Sequence, residues 1–120
     1  RRVMNIRKEL DSQLRKVRRE MNIKYGNLSG EKEAIRFLRT GSISLADTKS
    51  LILFTDGLFI PKEDPEAPED WELFSKLYQE SGLEGILRHV RSLEKADPEC
   101  WKYIRFKQHD DAAAIGIDFQ

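Results

Sequence analysis

The sequence predicts an α+β chain in which several helices are layered against a small sheet. Three observations predict it. Apolar residues recur at spacings of three and four in stripes over 3–21, 71–80 and 83–93, the period of a helix with one buried face. Apolar runs of strand length occur at Leu51–Phe54 and Ala112–Phe119. Charged residues make up 35% of the chain and apolar residues 39%, a balance that long solvated helices account for.

Val3, Ile6, Leu10, Leu14, Val17 and Met21 form one narrow, near-heptad stripe on a helix of about twenty residues with basic flanks. Three uses of this stripe compete: packing on the domain's own sheet, self-association with a second helix, and presentation of Arg and Lys to nucleic acid or acidic lipid. The first is favoured. Tyr25 to Gly30 is a run of turn residues that breaks the helix. Ser29 before Glu31, Lys32 and Glu33 reads as the start of a second helix, with acids near its positive end. Ala34, Ile35, Phe37 and Leu38 would be its apolar face, and Thr40-Gly41-Ser42 its end. The glycine-containing turn lacks the order and spacing of a Walker or Rossmann phosphate loop.

Ile43 to Asp47 is a link, and Leu51–Phe54 is the first strand. Pro61, Pro65 and Pro68 among acids read as an exposed, extended loop. Asp70 is placed to cap a helix from about Trp71 to Glu80, with Trp71, Phe74, Leu77 and Tyr78 inward. Gly82 interrupts. Leu83, Ile86, Leu87, Val90 and Leu93 mark a further helix that ends at Asp97-Pro98. Ala112–Phe119 is the last strand. Two strands make a weak sheet by themselves, so helix packing or association must support it.

Each strand carries carboxylates at one end. The first runs Ser50-Leu51-Ile52-Leu53-Phe54-Thr55-Asp56-Gly57-Leu58, and the second His109-Asp110-Asp111-Ala112-Ala113-Ala114-Ile115. If the strands pair antiparallel, the end of the first lies beside the start of the second, and Asp56 and Asp110 share one sheet edge. Carboxylates held that close repel unless a cation lies between them, and Mg²⁺ and Mn²⁺ are the usual hard choices. The competing reading of Asp56 alone is a turn-forming Asp before Gly.

These residues resemble the C-terminal motifs of the metal-dependent protein serine/threonine phosphatases of type 2C. Thr55-Asp56-Gly57-Leu58 matches the family's strand-ending Thr/Ser-Asp-Gly-Leu/Ile. Asp110-Asp111-Ala112-Ala113-Ala114-Ile115 matches its later Asp-Asn or Asp-Asp before a small-apolar strand, in the same order and roughly fifty residues on. The resemblance covers the chain from about Gly41 to its end. It implies the C-terminal fragment of an α-β-β-α sandwich, with residues 1–120 as a single domain forming the C-terminal half of a type 2C catalytic domain.

It also implies Asp56 and Asp110 as metal ligands in a two-metal Mn²⁺ or Mg²⁺ site that is incomplete in this chain. Asp111 and Gly57 would stand just outside the ligands and shape the site. The chemistry implied is hydrolysis of phosphoserine or phosphothreonine by a metal-activated water. The family's early acidic residue, its Asp-Gly-His-Gly type motif and its phosphate-binding Arg are not recognisable here. A fragment is therefore expected, with no catalytic residue of its own, no activity alone, and two partners: the missing N-terminal half and a phosphoprotein substrate. The alternative is a non-catalytic helical interaction or dimerisation module, a pseudophosphatase that self-associates through Val3–Met21. A response-regulator-like phosphoacceptor also uses strand-end aspartates, but it needs more strands than this chain offers.

Formal net charge is zero, so no global attraction to nucleic acid or membrane is expected. Nine basic residues and three acids lie between Arg1 and Lys24, and six acids with one Lys between Lys62 and Glu72. Solvated faces are the plain reading of both patches. The single Cys100 cannot form an intrachain disulfide and reads as a small core residue in a reducing, cytoplasmic protein. His109 reads as an ion-pairing or capping residue, and His89 as a surface or core-edge residue of an amphipathic helix.

Overall fold

Helix α1 spans Arg2–Arg19, where the apolar stripe places it. A computed structural model describes residues 2–119, with side chains from residue 10 onward. Lys16, Arg18 and Arg19 occupy the last turn of α1, where cations are favoured by the partial negative charge of the unpaired carbonyls. Leu10, Leu14 and Val17 of the stripe are exposed. Val3 and Ile6 lie outside the residues whose side chains are described.

The chain divides into two compact units, Arg1–Ile43 and Ser44–Gln120. In the first, α1 is stopped by a turn built on Asn22. This residue adopts φ 56°, a left-handed conformation that Asn tolerates better than most residues. It is buried at 4% exposure. Its side-chain amide donates to Ser29 Oγ at 3.2 Å and Glu31 Oε2 at 2.7 Å, and its Oδ1 accepts from the Asn27 amide at 2.8 Å. Ser29 is thus drawn into the turn and does not cap a helix. The turn leads into a 3₁₀ helix, Lys32–Phe37, whose start has no side-chain cap. Ala34 is buried, but Ile35 and Leu38 are exposed. The predicted second α-helix shortens because a six-residue segment with one buried side chain gains too little from packing to sustain the longer form.

The second unit is α+β: a helix packed on a small antiparallel sheet. Strands β1 (Ser50–Phe54) and β2 (Ala114–Asp118) pair antiparallel with Leu51 opposite Ile117, Leu53 opposite Ile115 and Phe54 opposite Ala114. Ile52, Phe54 and Ala114 pack against the core. Leu51, Leu53, Ile115 and Ile117 belong to the opposite face and are exposed, so one side of the ribbon is covered and the other is bare aliphatic surface.

Helix α2 covers the packed face. It spans Trp71–Ala96, and the Asp70 carboxylate accepts from the Leu73 amide at 2.9 Å, as the capping pattern predicts. Gly82 breaks it with φ 63° and ψ −161°, a backbone state that only glycine adopts without strain. Leu58, Phe74, Ile86 and Val90 are the buried centre, with Leu77, Tyr78, Leu83 and Leu87 packed around them. Phe54 and Phe74 stack at 5.0 Å, and Trp71 meets Phe74 edge-on at 5.8 Å. Cys100 is not a core residue: it is half-buried on the loop after α2, at φ 57°. No helix of the described residues is long and apolar enough to cross a membrane.

Candidate functional site

Thr55 extends the strand pairing by one rung beyond Phe54. Its amide donates to Ala113 O at 2.9 Å, and its hydroxyl accepts from the Ala113 amide at 3.0 Å. Asp56 comes next and opens a 3₁₀ turn, Asp56–Leu58, closed by the Phe59 amide on Asp56 O at 3.1 Å. The turn swings Leu58 into the core and leaves the Asp56 side chain outside it.

Gly57 is buried against the other strand. A Cβ there would overlap the Asp111 carbonyl oxygen and stand 2.8 Å from the carbon behind it. The Asp-Gly of the first segment and the Asp-Asp of the second are therefore in backbone contact. This is the juxtaposition expected from mirrored motifs on antiparallel strands.

Asp110 is held from three sides. Its carboxylate accepts from Lys107 Nζ at 2.5 Å and from the Asp111 amide at 2.8 Å. Its backbone carbonyl accepts from Arg91 Nη2 of α2 at 2.6 Å. The Lys107 bond, then the Asp111 amide and the nearby Arg91 charge, hold its carboxyl below the usual carboxylate range. Lys107 is pushed up, first by its bond to Asp110 and then by the charges of Asp110, Asp111 and Asp56. Asp56 and Asp110 both line a cleft of about 460 Å³, with Lys107, Glu94, Phe59 and Phe106 among the other walls. Asp111 contributes its backbone to the contact, and its side chain is exposed.

Beneath the cleft, Glu94 is buried at 5% exposure. Its Oε2 accepts from Arg91 at 2.7 Å and meets His109 Nδ1 at 3.0 Å. His109 is thus an ion-pairing residue in geometry, and it ties the second motif to α2. His89 is half-buried on α2.

Asp97 organises the loop that carries Lys107, His109 and Asp110. One carboxylate oxygen accepts from the Trp101 amide at 3.0 Å, and the other from the Tyr103 amide at 2.9 Å and Arg105 Nη1 at 3.0 Å. Arg105 also donates to the carbonyls of Tyr103, Glu94 and Asp97. In the sequence, Asp97-Pro98 reads only as a helix stop and Arg105 belongs to no motif. An Asp followed eight residues later by an Arg carries no periodic signal that would single out the pair.

The Tyr103 amide, followed by the Trp101 and Lys102 amides and the Arg105 guanidinium, holds the Asp97 carboxyl at about 2, against an ordinary 3.8. A carboxylate depressed on folding adds stability above its unfolded value and loses it as pH falls through its folded value. The contribution of Asp97 should be intact above about pH 4 and vanish between there and about pH 2. In thermal melts across that range, Asp97→Asn should start less stable at neutral pH and show a shallower acid loss than the wild type. Parallel curves for the two proteins would refute the assignment.

The donors at the cleft are two hard carboxylates, and hard oxygen suits Mg²⁺ or Mn²⁺. Among the described residues, no group of three or more His, Cys, Asp or Glu is placed to hold a metal ion. Asp56 and Asp110 place two such carboxylates on one cleft. Comparison with family models, with curated proteins and with solved structures finds no match for this chain.

Proposed function

We propose that this chain is part of a metal-dependent phosphoprotein phosphatase that hydrolyses phosphoserine and phosphothreonine with a metal-activated water. The observation that carries the proposal is the placement of Asp56 and Asp110 at adjoining strand ends on one cleft, together with the type 2C pattern of the two segments. The bare aliphatic face formed by Leu51, Leu53, Ile115 and Ile117 adds support, because an α-β-β-α sandwich covers that face with its second sheet.

Bound Mn²⁺ or Mg²⁺ would supply a water of lowered pKa and would offset phosphate charge. The chain's own residues do the positioning. Asp56 and Asp110 are the ligands, Gly57 permits the close approach of the first motif to the Asp111 backbone, and Arg91 ties the Asp110 carbonyl to α2. Two carboxylates alone hold Mg²⁺ weakly, and no phosphate-binding Arg motif is recognisable. This chain by itself is accordingly a half-site without turnover. A reducing, cytoplasmic setting fits the free Cys100.

The second reading, a non-catalytic module that self-associates through the α1 stripe, draws on the exposure of Leu10, Leu14 and Val17. One experiment separates the two. The complete polypeptide carrying this segment should hydrolyse phosphoserine or phosphothreonine peptides only with Mn²⁺ or Mg²⁺. Asp56→Asn or Asp110→Asn should lower turnover by about 100-fold or more, since even groups behind metal ligands are worth 10–100-fold. Near-normal turnover in the double variant would remove both residues from the ligand set. No metal-dependent turnover, with a dimeric mass by light scattering, would favour the interaction module.

A further inference from the structure

The cation that touches Asp110 in this structure belongs to the chain itself. Lys107 Nζ is 2.5 Å from Asp110 Oδ1 and lines the same cleft as Asp56. We propose that the Lys107 ammonium is a built-in counter-cation of the Asp56–Asp110 pair, one that a divalent metal must displace in order to bind. The inference rests on the proposed metal site and concerns how that site is regulated.

The geometry supports competition over mere coexistence. Asp110 Oδ1 serves both the ammonium and the Asp111 amide, so a metal arriving at that oxygen meets a positive charge already in contact with it. The Asp97–Arg105 knot and the His109–Glu94 pair fix the backbone on both sides of Lys107, which keeps the ammonium within reach. Asp56 lines the same cleft as Lys107 and Asp110.

Displacement is feasible because the Lys107 side chain is 59% exposed and that of Asp110 is 40% exposed. Exposed pairs contribute little, and the flexible stem lets the ammonium swing into water. Lys107 therefore sets the metal concentration at which the site fills without blocking it. In the apo state it relieves the repulsion that two adjoining carboxylates would otherwise carry into the fold.

The test uses this chain and Mn²⁺ alone, with free ion followed by electron paramagnetic resonance at low ionic strength up to about 10 mM, well above the range of weak oxygen sites. Lys107→Met removes the charge and keeps an apolar stem, and Lys107→Arg keeps the charge. Circular dichroism confirms folding of each variant. Lys107→Met should bind Mn²⁺ about two- to fivefold more tightly than the wild type, the factor that corresponds to losing an exposed ion pair. Lys107→Arg should stay near the wild type, and Asp56→Asn/Asp110→Asn should abolish binding. If binding depends on the two aspartates but Lys107→Met is no tighter than the wild type, the counter-cation role is refuted and the phosphatase reading stands. If neither the wild type nor Lys107→Met shows aspartate-dependent binding, the metal site and the counter-cation role fall together.

Discussion

Replacing Ile86 by Ala should destabilise the Ser44–Gln120 unit by about 2–5 kcal/mol, the range for truncating a buried aliphatic side chain to Ala. Ile86 is 0% exposed and packs with Leu58, Phe74 and Val90 where α2 meets the sheet. The cost adds the lost transfer energy of the deleted methyl and methylene groups to the cavity they leave, because close-packed neighbours relax only in part. Few side chains in this unit are fully buried, so little redundancy offsets the loss. A typical domain has only about 5–15 kcal/mol in total, so the variant should lose a large share of the unit's stability. Leu53→Ala is the control. Leu53 lies on the bare face of the sheet at 55% exposure, so its truncation should cost much less. Urea midpoints measured by circular dichroism report both, and equal shifts for the two variants would mean that α2 does not hold the sheet as described.

Gly57→Ala should have the second large effect, about 1–3 kcal/mol, through overpacking against atoms that cannot move independently. The new methyl would meet the carbonyl of Asp111, a backbone group fixed within the second motif. Relief requires the two chain segments to part. That would lengthen the bond from the Thr55 amide to Ala113 O and draw Asp56 away from Asp110. Faster hydrogen exchange at the Thr55 amide and weaker Mn²⁺ binding should therefore appear together. Gly41→Ala, where no atom lies within 4 Å of an added Cβ, should leave both unchanged. A Gly57→Ala protein with native exchange at Thr55 would show that the approach of Gly57 to Asp111 is not tight.

The mirrored segments were legible in the sequence because they are local patterns with a fixed period. Strand-length apolar runs bounded by Asp gave both β1 and β2, and their antiparallel pairing is the one observed. Asp70 as a cap and Gly82 as a break were equally readable. A cap is a contact three residues long, and a positive φ selects glycine without help from the rest of the fold.

Where a residue's partner lies outside such local patterns, the sequence went wrong or stayed silent. Ser29 has the chemistry of a helix cap, yet the amide of Asn22 claims its hydroxyl. Cys100 has the character of a core residue, yet the loop drawn round Asp97 and Arg105 leaves it half-buried. Lys107 carried no motif and became conspicuous only when it came to rest on Asp110.

By itself, then, the sequence determined the helical periods, the strands, their breaks and the carboxylates that end them, since all of these arise from chain-local geometry. Only the tertiary structure decided that Ile52 and Phe54 pack under α2 while Leu51 and Leu53 face outward. Both faces of β1 are apolar, so alternation alone gives no preference. The choice depends on where α2 docks, and that is fixed by side chains far away in the chain packing around Phe74, Ile86 and Val90.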